Sequence, residues 1–210
     1  MTRRAVRDTY DRIATHFART RPAPWSEVED FLADRTGGLG LDVGVGNGRH
    51  AELLATRCAT VVGVDLSHAA LGEAAARSDA GGFGLSLVVG DATTLPIGDD
   101  RVDLAVYVAT LHHLPTPELR VASLDELARV LRPAARAIVS AWSVTHDRFD
   151  AEAGFDTTVG WTLPDGEVVD RFYHIYDGEE FARDLDASDL VRESTFESRG
   201  NWYAVVGPEQ

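Results

Sequence analysis

The sequence predicts an α/β fold in which a mostly parallel sheet carries helices on both faces. Two helices cap it at the N-terminus and an antiparallel hairpin closes it at the C-terminus. Three observations carry this. Between residues 39 and 141, short apolar runs alternate with helical stretches, the pattern of a parallel sheet built from strand–helix units. Before that region, apolar residues recur at helical spacing. After it the alternation stops, and the last two strand-like runs flank a short polar turn at Ser198–Gly200.

In order along the chain, Val6, Tyr10, Ile13 and Phe17 recur at spacings of four, three and four, so Arg3 to about Arg19 reads as an amphipathic helix. Arg21-Pro22-Ala23-Pro24 ends it, and Ser26 caps a second helix to about Asp34. Thr36-Gly37-Gly38 reads as a turn. Leu39–Val43, Thr60–Val64, Leu85–Val89, Val102–Ala109 and Ala135–Ala141 suit buried strands, with helices at Arg49–Arg57, Ala69–Arg77 and Pro117–Leu131 between them. Residues 143–171 are acidic, carry Gly154, Gly160, Pro164 and Gly166, and read as an inserted loop. A helix at about Gly178–Leu185 precedes the strand-like runs Val191–Phe196 and Trp202–Val206. The division is then a cap (1–36), a core (37–142), an acidic insertion (143–177) and a C-terminal helix and hairpin (178–210), all in one domain.

At 210 residues such a chain buries a core without staples, and its single cysteine, Cys58, permits neither a disulfide framework nor a Cys-rich zinc site within one chain; no metal is expected. No apolar run is long enough to span a membrane. The first 20 residues contain Asp8 and Asp11 and lack an apolar segment, which points to the cytoplasm rather than secretion; a transit peptide is the competing reading. The formal net charge is −14. All 20 basic residues are arginine, and 21 of the 34 acidic residues are aspartate. That composition fits either a halophilic protein, soluble at molar salt, or a GC-rich codon bias. Acidity is therefore weak evidence against nucleic acid as a partner. The first 21 residues run the other way, with six arginines against two aspartates.

The loop Asp42-Val43-Gly44-Val45-Gly46-Asn47-Gly48-Arg49 joins a strand to a helix. Its glycines permit positive φ and close backbone approach to a ligand. The spacing is G-x-G-x-G, with Arg49 where a dinucleotide fingerprint needs its third glycine, so a dinucleotide is disfavoured. Asp65 ends the next strand, 23 residues beyond Asp42, where a carboxylate can accept from both hydroxyls of a ribose. Asp91 ends the strand after that, where it can accept from an exocyclic adenine amine.

Taken together, residues 37–142 resemble the class I S-adenosylmethionine-dependent methyltransferases. The resemblance implies a Rossmann-like, seven-stranded, mostly parallel sheet and S-adenosyl-L-methionine as cofactor. It implies cofactor contacts from Asp42, Gly44, Gly46, Asn47, Gly48, Asp65, Leu66, Asp91 and Ala92. Two positions depart from the family pattern: Val45 stands where Cys or Thr is common, and Arg132-Pro133-Ala134-Ala135 replaces an Arg-Pro-Gly-Gly turn, with Ala135 expected to be the less permissive residue.

The flanks are more specific. Tyr10-Asp11-Arg12-Ile13-Ala14-Thr15-His16-Phe17, Thr20-Arg21, Pro24-Trp25, His112-His113, Val159-Gly160-Trp161, Arg171-Phe172-Tyr173-His174 and Gly200-Asn201-Trp202-Tyr203 resemble the tRNA wobble-uridine methyltransferases that esterify 5-carboxymethyluridine. The resemblance implies the tRNA anticodon loop as substrate. Arg21, His112 and His113 would be catalytic, and Trp25, Tyr173, His174, Asn201 and Trp202 would contact the substrate. Ala23 departs from the family, which carries a basic residue before Pro-Trp. The chemistry agrees: a carboxylate is already ionised at neutral pH and needs no general base. It needs orientation and a donor, for which the fork of Arg21 is suited. Arg21 could instead only cap its helix, one of the two histidines could be structural, and Trp25 and Trp202 could serve either packing or base stacking. The competing functions are a small-molecule O-, N- or C-methyltransferase and a non-catalytic scaffold. The resemblance also implies a heterodimer with a small zinc-containing activator protein, pairing with the outer strand Leu85–Val89, which carries no charge.

Overall fold

The computed structural model describes residues 2–209, the Arg3 side chain excepted. The cap is α1 (Arg3–Thr20) and α2 (Ser26–Leu32); Thr2 caps the first by accepting the Ala5 N–H at 3.2 Å. The core alternates β1 (Gly37–Val43), α3 (Arg49–Ala55), β2 (Cys58–Asp65), α4 (His68–Gly81), β3 (Ser86–Val89), β4 (Val102–Val108), α5 (Pro117–Val130) and β5 (Leu131–Trp142). Then come β6 (Phe155–Thr162), β7 (Val168–Ile175), α6 (Gly178–Asp186), β8 (Leu190–Ser198) and β9 (Asn201–Pro208). The seven-stranded sheet has the order β3-β2-β1-β4-β5-β9-β8, its first five strands parallel and the last two antiparallel. This is the Rossmann-like methyltransferase fold expected, with the C-terminal hairpin in place.

The sheet separates two cores. On one face Leu124 and Leu127 of α5 and Phe181 and Leu185 of α6 are buried against it; on the other lie Val28 and Leu32 of α2, Leu54 of α3 and Ala74 of α4. All five parallel strands end on the same side, where the loops can gather a site.

Two local expectations are corrected. Gly37 and Gly38 begin β1 instead of forming a turn. Asp103 explains it: its Oδ2 accepts the N–H groups of Gly38 and Leu39 at 2.9 and 2.8 Å, drawing the glycines into line with β4. Residues 143–177 are not simply a loop, because β6 and β7 pair in antiparallel register across eight residues of each. Phe155, Thr157, Val159 and Trp161 alternate inward along β6, as do Val169, Arg171, Tyr173 and Ile175 along β7. The inward face packs on α1, where Ile13, Trp161 and Val169 are buried together with Tyr10 and Phe17 against them.

The expected turn at Arg132–Ala135 is a bulge near the start of β5, and it carries strain one residue earlier than expected. Ala134 takes φ +72°, while Ala135 is buried within the strand. A side chain in the left-handed region costs about 1–2 kcal/mol, partly offset by the chain entropy glycine loses. Ala134→Gly is therefore expected to stabilise the protein by about 0.5–1 kcal/mol, read as a higher denaturant midpoint with unchanged slope. A lower midpoint would contradict the strain.

Candidate active site

The loops at the strand ends and the underside of α1 enclose one pocket. It is lined by the β1–α3 loop, by Asp65 and Leu66 after β2, by Asp91 and Ala92 after β3, and by Ala109, Thr110 and His113 after β4. Val6, Tyr10, Ala14 and Phe17 of α1 form its roof. The helical spacing that reads as a core face in sequence is therefore also the lining of a cavity.

The loop's geometry follows from its glycines. Gly44, Gly46 and Gly48 take φ of +73°, +54° and +78°. At Gly44 an added Cβ would sit 2.6 Å from Thr110 Cγ2 and 2.8 Å from Thr110 Cβ, so only glycine fits. Gly44 and Val45 donate to the Val64 carbonyl at 2.7 and 3.0 Å, and Gly46 donates to Asp65 Oδ2 at 2.9 Å. The Asn47 side chain donates to the Arg21 carbonyl at 2.9 Å and so ties the loop to the end of α1. Ala109 holds φ +55° beside the pocket, a strained non-glycine position of the sort that collects at functional sites.

The carboxylates are placed as their sequence positions imply. Asp42 is buried, and its Oδ2 has no hydrogen-bond partner in the protein. Burial pushes its carboxyl up to about 7, against the pull of the Arg49 guanidinium. Asp65 Oδ1 accepts the Ser67 N–H at 2.9 Å; burial raises this carboxyl too, opposed by its backbone donors. Asp91 Oδ1 accepts from the Thr93 amide and hydroxyl at 2.9 and 2.8 Å. An orphaned buried carboxylate oxygen, a cradle that a Cβ would fill and acidic side chains at two successive strand ends fit a cofactor with a cationic amino-acid end and a nucleoside.

On the opposite wall the two histidines separate. His113 lines the pocket; its Nδ1 lies 2.8 Å from the Phe172 carbonyl and its Nε2 2.7 Å from the Tyr10 hydroxyl. A carbonyl can only accept, so Nδ1 carries the hydrogen and the Tyr10 hydroxyl donates to Nε2. Burial pushes His113 down to about 4, so the ring is neutral at pH 7. His112 is turned away: its Nδ1 accepts the Trp142 N–H at 3.0 Å, and burial with His113 alongside holds it well below the usual range. Its expected place beside the acceptor falls to its neighbour.

The remaining candidates scatter. Arg21 is exposed at the end of α1, 5.4 Å above the Trp161 ring, outside the pocket lining. Tyr173 is buried among His112, His113 and Trp142. His174 alternates to the far face of β7, with Nδ1 2.7 Å from Asp156 and Nε2 3.0 Å from Glu180. Trp25 packs edge-on to His50 and Tyr203; Trp202 covers Gly178; Asn201 donates to the Arg199 carbonyl. None of these last five lines the pocket. Sequence reasoning missed Thr110 and gave Tyr10 a core role. The signal for both was position, Thr110 just past β4 and Tyr10 on the buried stripe of α1.

Comparison with known proteins agrees with this geometry. The methyltransferase domain family matches residues 41–139. A tRNA (carboxymethyluridine(34)-5-O)-methyltransferase of Xenopus tropicalis is 33% identical over 148 residues, 70% of this chain but 22% of that protein, so the chain spans about a fifth of its length. A putative methyltransferase of Encephalitozoon cuniculi is 33% identical over 181 residues, covering 82% of this chain and 80% of that protein. In fold, the DhpI–SAM–HEP complex superposes with a TM-score of 0.77 at 20% identity, covering 99% of this chain and 100% of that one. With the sheet order, the glycine cradle and the two acidic strand ends in agreement, the chain belongs to the class I S-adenosylmethionine-dependent methyltransferases.

Proposed function

We propose that this methyltransferase esterifies the carboxylate of a 5-carboxymethyl group on the wobble uridine in the tRNA anticodon loop. S-adenosylmethionine supplies an electrophilic methyl group when bound; the chain supplies everything else. Asp42 would face the cofactor's ammonium end and the Gly44–Gly48 loop its amino-acid part. Asp65 would take the ribose, and Leu66, Asp91 and Ala92 the adenine side.

The observation that carries the acceptor assignment is that the pocket's bases are already engaged. His113 Nε2 is filled by the Tyr10 hydroxyl, Asp65, Asp91 and Glu73 accept from Gly46, Thr93 and Thr15, and His50 accepts from the Trp25 N–H. Such a lining suits a nucleophile that arrives ionised, as a carboxylate does. An alcohol or amine acceptor would need its proton removed. Arg21 at the rim also favours an anionic acceptor over an apolar small molecule. The name of the Xenopus relative supports the same reading.

A small zinc-containing activator is part of the proposal. β3 stands at one edge of the sheet, is uncharged, and leaves Val89 46% exposed, features that favour pairing with another chain. Among the described residues no helix is long and apolar enough to cross a membrane.

The test is to incubate the protein, alone and with the activator, with S-adenosylmethionine and tRNA carrying 5-carboxymethyluridine. Digested nucleosides are then weighed by mass spectrometry. The expected product is heavier by one methyl group at that nucleoside. Cofactor turnover on carboxylic-acid small molecules with none on the tRNA would overturn the reading.

A further inference from the structure

Arg171 is an arginine without an acid. It sits on the inward face of β7 at 7% exposure, where burying a cation unpaired is costly. Its Nη1 donates to the Tyr173 hydroxyl at 2.6 Å, but its buried Nε has no partner. Its guanidinium lies 4.8 Å from the centre of the Trp161 ring and 5.1 Å from that of Tyr173. Elsewhere this acidic chain pairs its arginines freely: Arg12, Arg77, Arg120, Arg129 and Arg192 each hold a carboxylate. Among the described residues Arg171 and Arg21 hold none, as is also true of Arg19, Arg35, Arg49, Arg57, Arg101, Arg148 and Arg183; of these Arg171 is a buried one on the hairpin that packs on α1.

Arg171 and Arg21 meet at one ring, since Arg21 shares the Trp161 ring with Arg171. Tyr173, which accepts from Arg171, has its ring centre 4.6 Å from that of His113, and His113 binds the Tyr10 hydroxyl of the pocket roof. Arg171 above all, with Arg21 and Arg148, favours the ionised form of the Tyr173 hydroxyl, against burial. A chain with 34 acidic and 20 basic residues thus places two guanidinium groups without a bound carboxylate beside a side chain that packs on its pocket lining.

We propose that Arg171, held by Tyr173 and Trp161, is the buried anchor for the acceptor's carboxylate, with Arg21 as an exposed guard beside it. This rests on the acceptor assignment made above and moves its main contact from Arg21 to Arg171. The fork of a guanidinium suits a planar carboxylate in two-point contact, and the idle Nε is one of the two donors such a contact uses. The exposed Arg21 would draw the anion in, and the buried group would fix its orientation.

The test measures binding, by calorimetry, of two nucleosides to the protein loaded with S-adenosylhomocysteine: 5-carboxymethyluridine and its neutral amide, 5-carbamoylmethyluridine. Neither nucleoside carries a phosphate. The wild type is expected to prefer the acid, and Arg171→Met to lower affinity for the acid by roughly 10- to 100-fold, to that of the amide. S-adenosylhomocysteine affinity should be unchanged in the variant. Arg171→Lys, which keeps charge but loses the fork, should fall between. Retention of the preference in Arg171→Met, or no preference in the wild type, overturns the proposal. A second arm uses anticodon stem-loops with and without the carboxymethyl group. Equal weakening of both by Arg171→Met would mean that the guanidinium meets a backbone phosphate, which also overturns it. Should Arg171→Met fail to fold, Tyr173→Phe removes the hydroxyl that holds Nη1; an undiminished preference there is equally decisive. Ester formation by the wild type on tRNA is scored separately. Its absence beside an Arg171-dependent preference would remove the tRNA reading and leave the anion site standing.

Discussion

Arg120→Met is expected to cost about 3–5 kcal/mol of stability, because it strands the buried carboxylate of Asp184 and takes a partner from the half-buried Glu180. Arg120 is 1% exposed on α5; its Nε lies 2.9 Å from Asp184 and its Nη2 3.1 Å from Glu180, both on α6. The Tyr176 hydroxyl donates to the same Asp184 oxygen at 2.9 Å, so α5, α6 and the residue that follows β7 meet at one charge. Glu180 in turn reaches His174, which carries the network to Asp156 of β6. Urea denaturation should show a large fall in midpoint. The double variant Arg120→Met, Asp184→Leu should recover part of it, since no orphaned aspartate then remains. A single variant within about 0.5 kcal/mol of wild type would refute the buried network.

Gly44→Ala is expected to abolish cofactor binding and to lower stability. Two independent costs add. The left-handed φ of +73° strains any side chain by about 1–2 kcal/mol, and the new methyl overlaps Thr110, an overpacking worth about 1–3 kcal/mol. Rotation of Thr110 gives no relief, because its Cβ itself would lie 2.8 Å away. The loop must therefore move, breaking the bonds from Gly44 and Val45 to the Val64 carbonyl. Calorimetry with S-adenosylhomocysteine reads the loss. Adding Thr110→Gly should restore the steric share alone. Wild-type affinity in Gly44→Ala would show that the loop tolerates displacement.

How much of this was legible in the sequence depends on the range of the interactions involved. The strands of the core, the glycine loop and its two acidic companions are local signals, and each element lies where its pattern places it. The β6–β7 hairpin was hidden because acidic residues and glycines mask its alternation; what makes it fold is contact with α1, some 145 residues earlier, as in the bond from Trp161 to His16. The choice between His112 and His113 also lay out of reach. The two rings are in edge contact in a 3-10 turn, and what separates their roles is a donor from Trp142 on His112 and an acceptor from Phe172 on His113. Arg171 was visible only as part of a family motif. Its meaning comes from the absence of an acid nearby, which no sequence pattern records.

Helix α1 does more than complete the cavity wall. It is stitched down at several points: Asp11 accepts from Ser67 and Ala69 at 2.6 and 3.1 Å, Thr15 donates to Glu73 at 2.7 Å, and Asn47 holds the Arg21 carbonyl. Each anchor on the far side belongs to the cofactor loop or to the start of α4. A nucleoside-sized guest beneath such a roof is expected to leave more slowly the better the stitches hold, so that cutting one of them should speed its departure. The spent donor's residence time should then track the strength of four hydrogen bonds made by the roof rather than by the ligand.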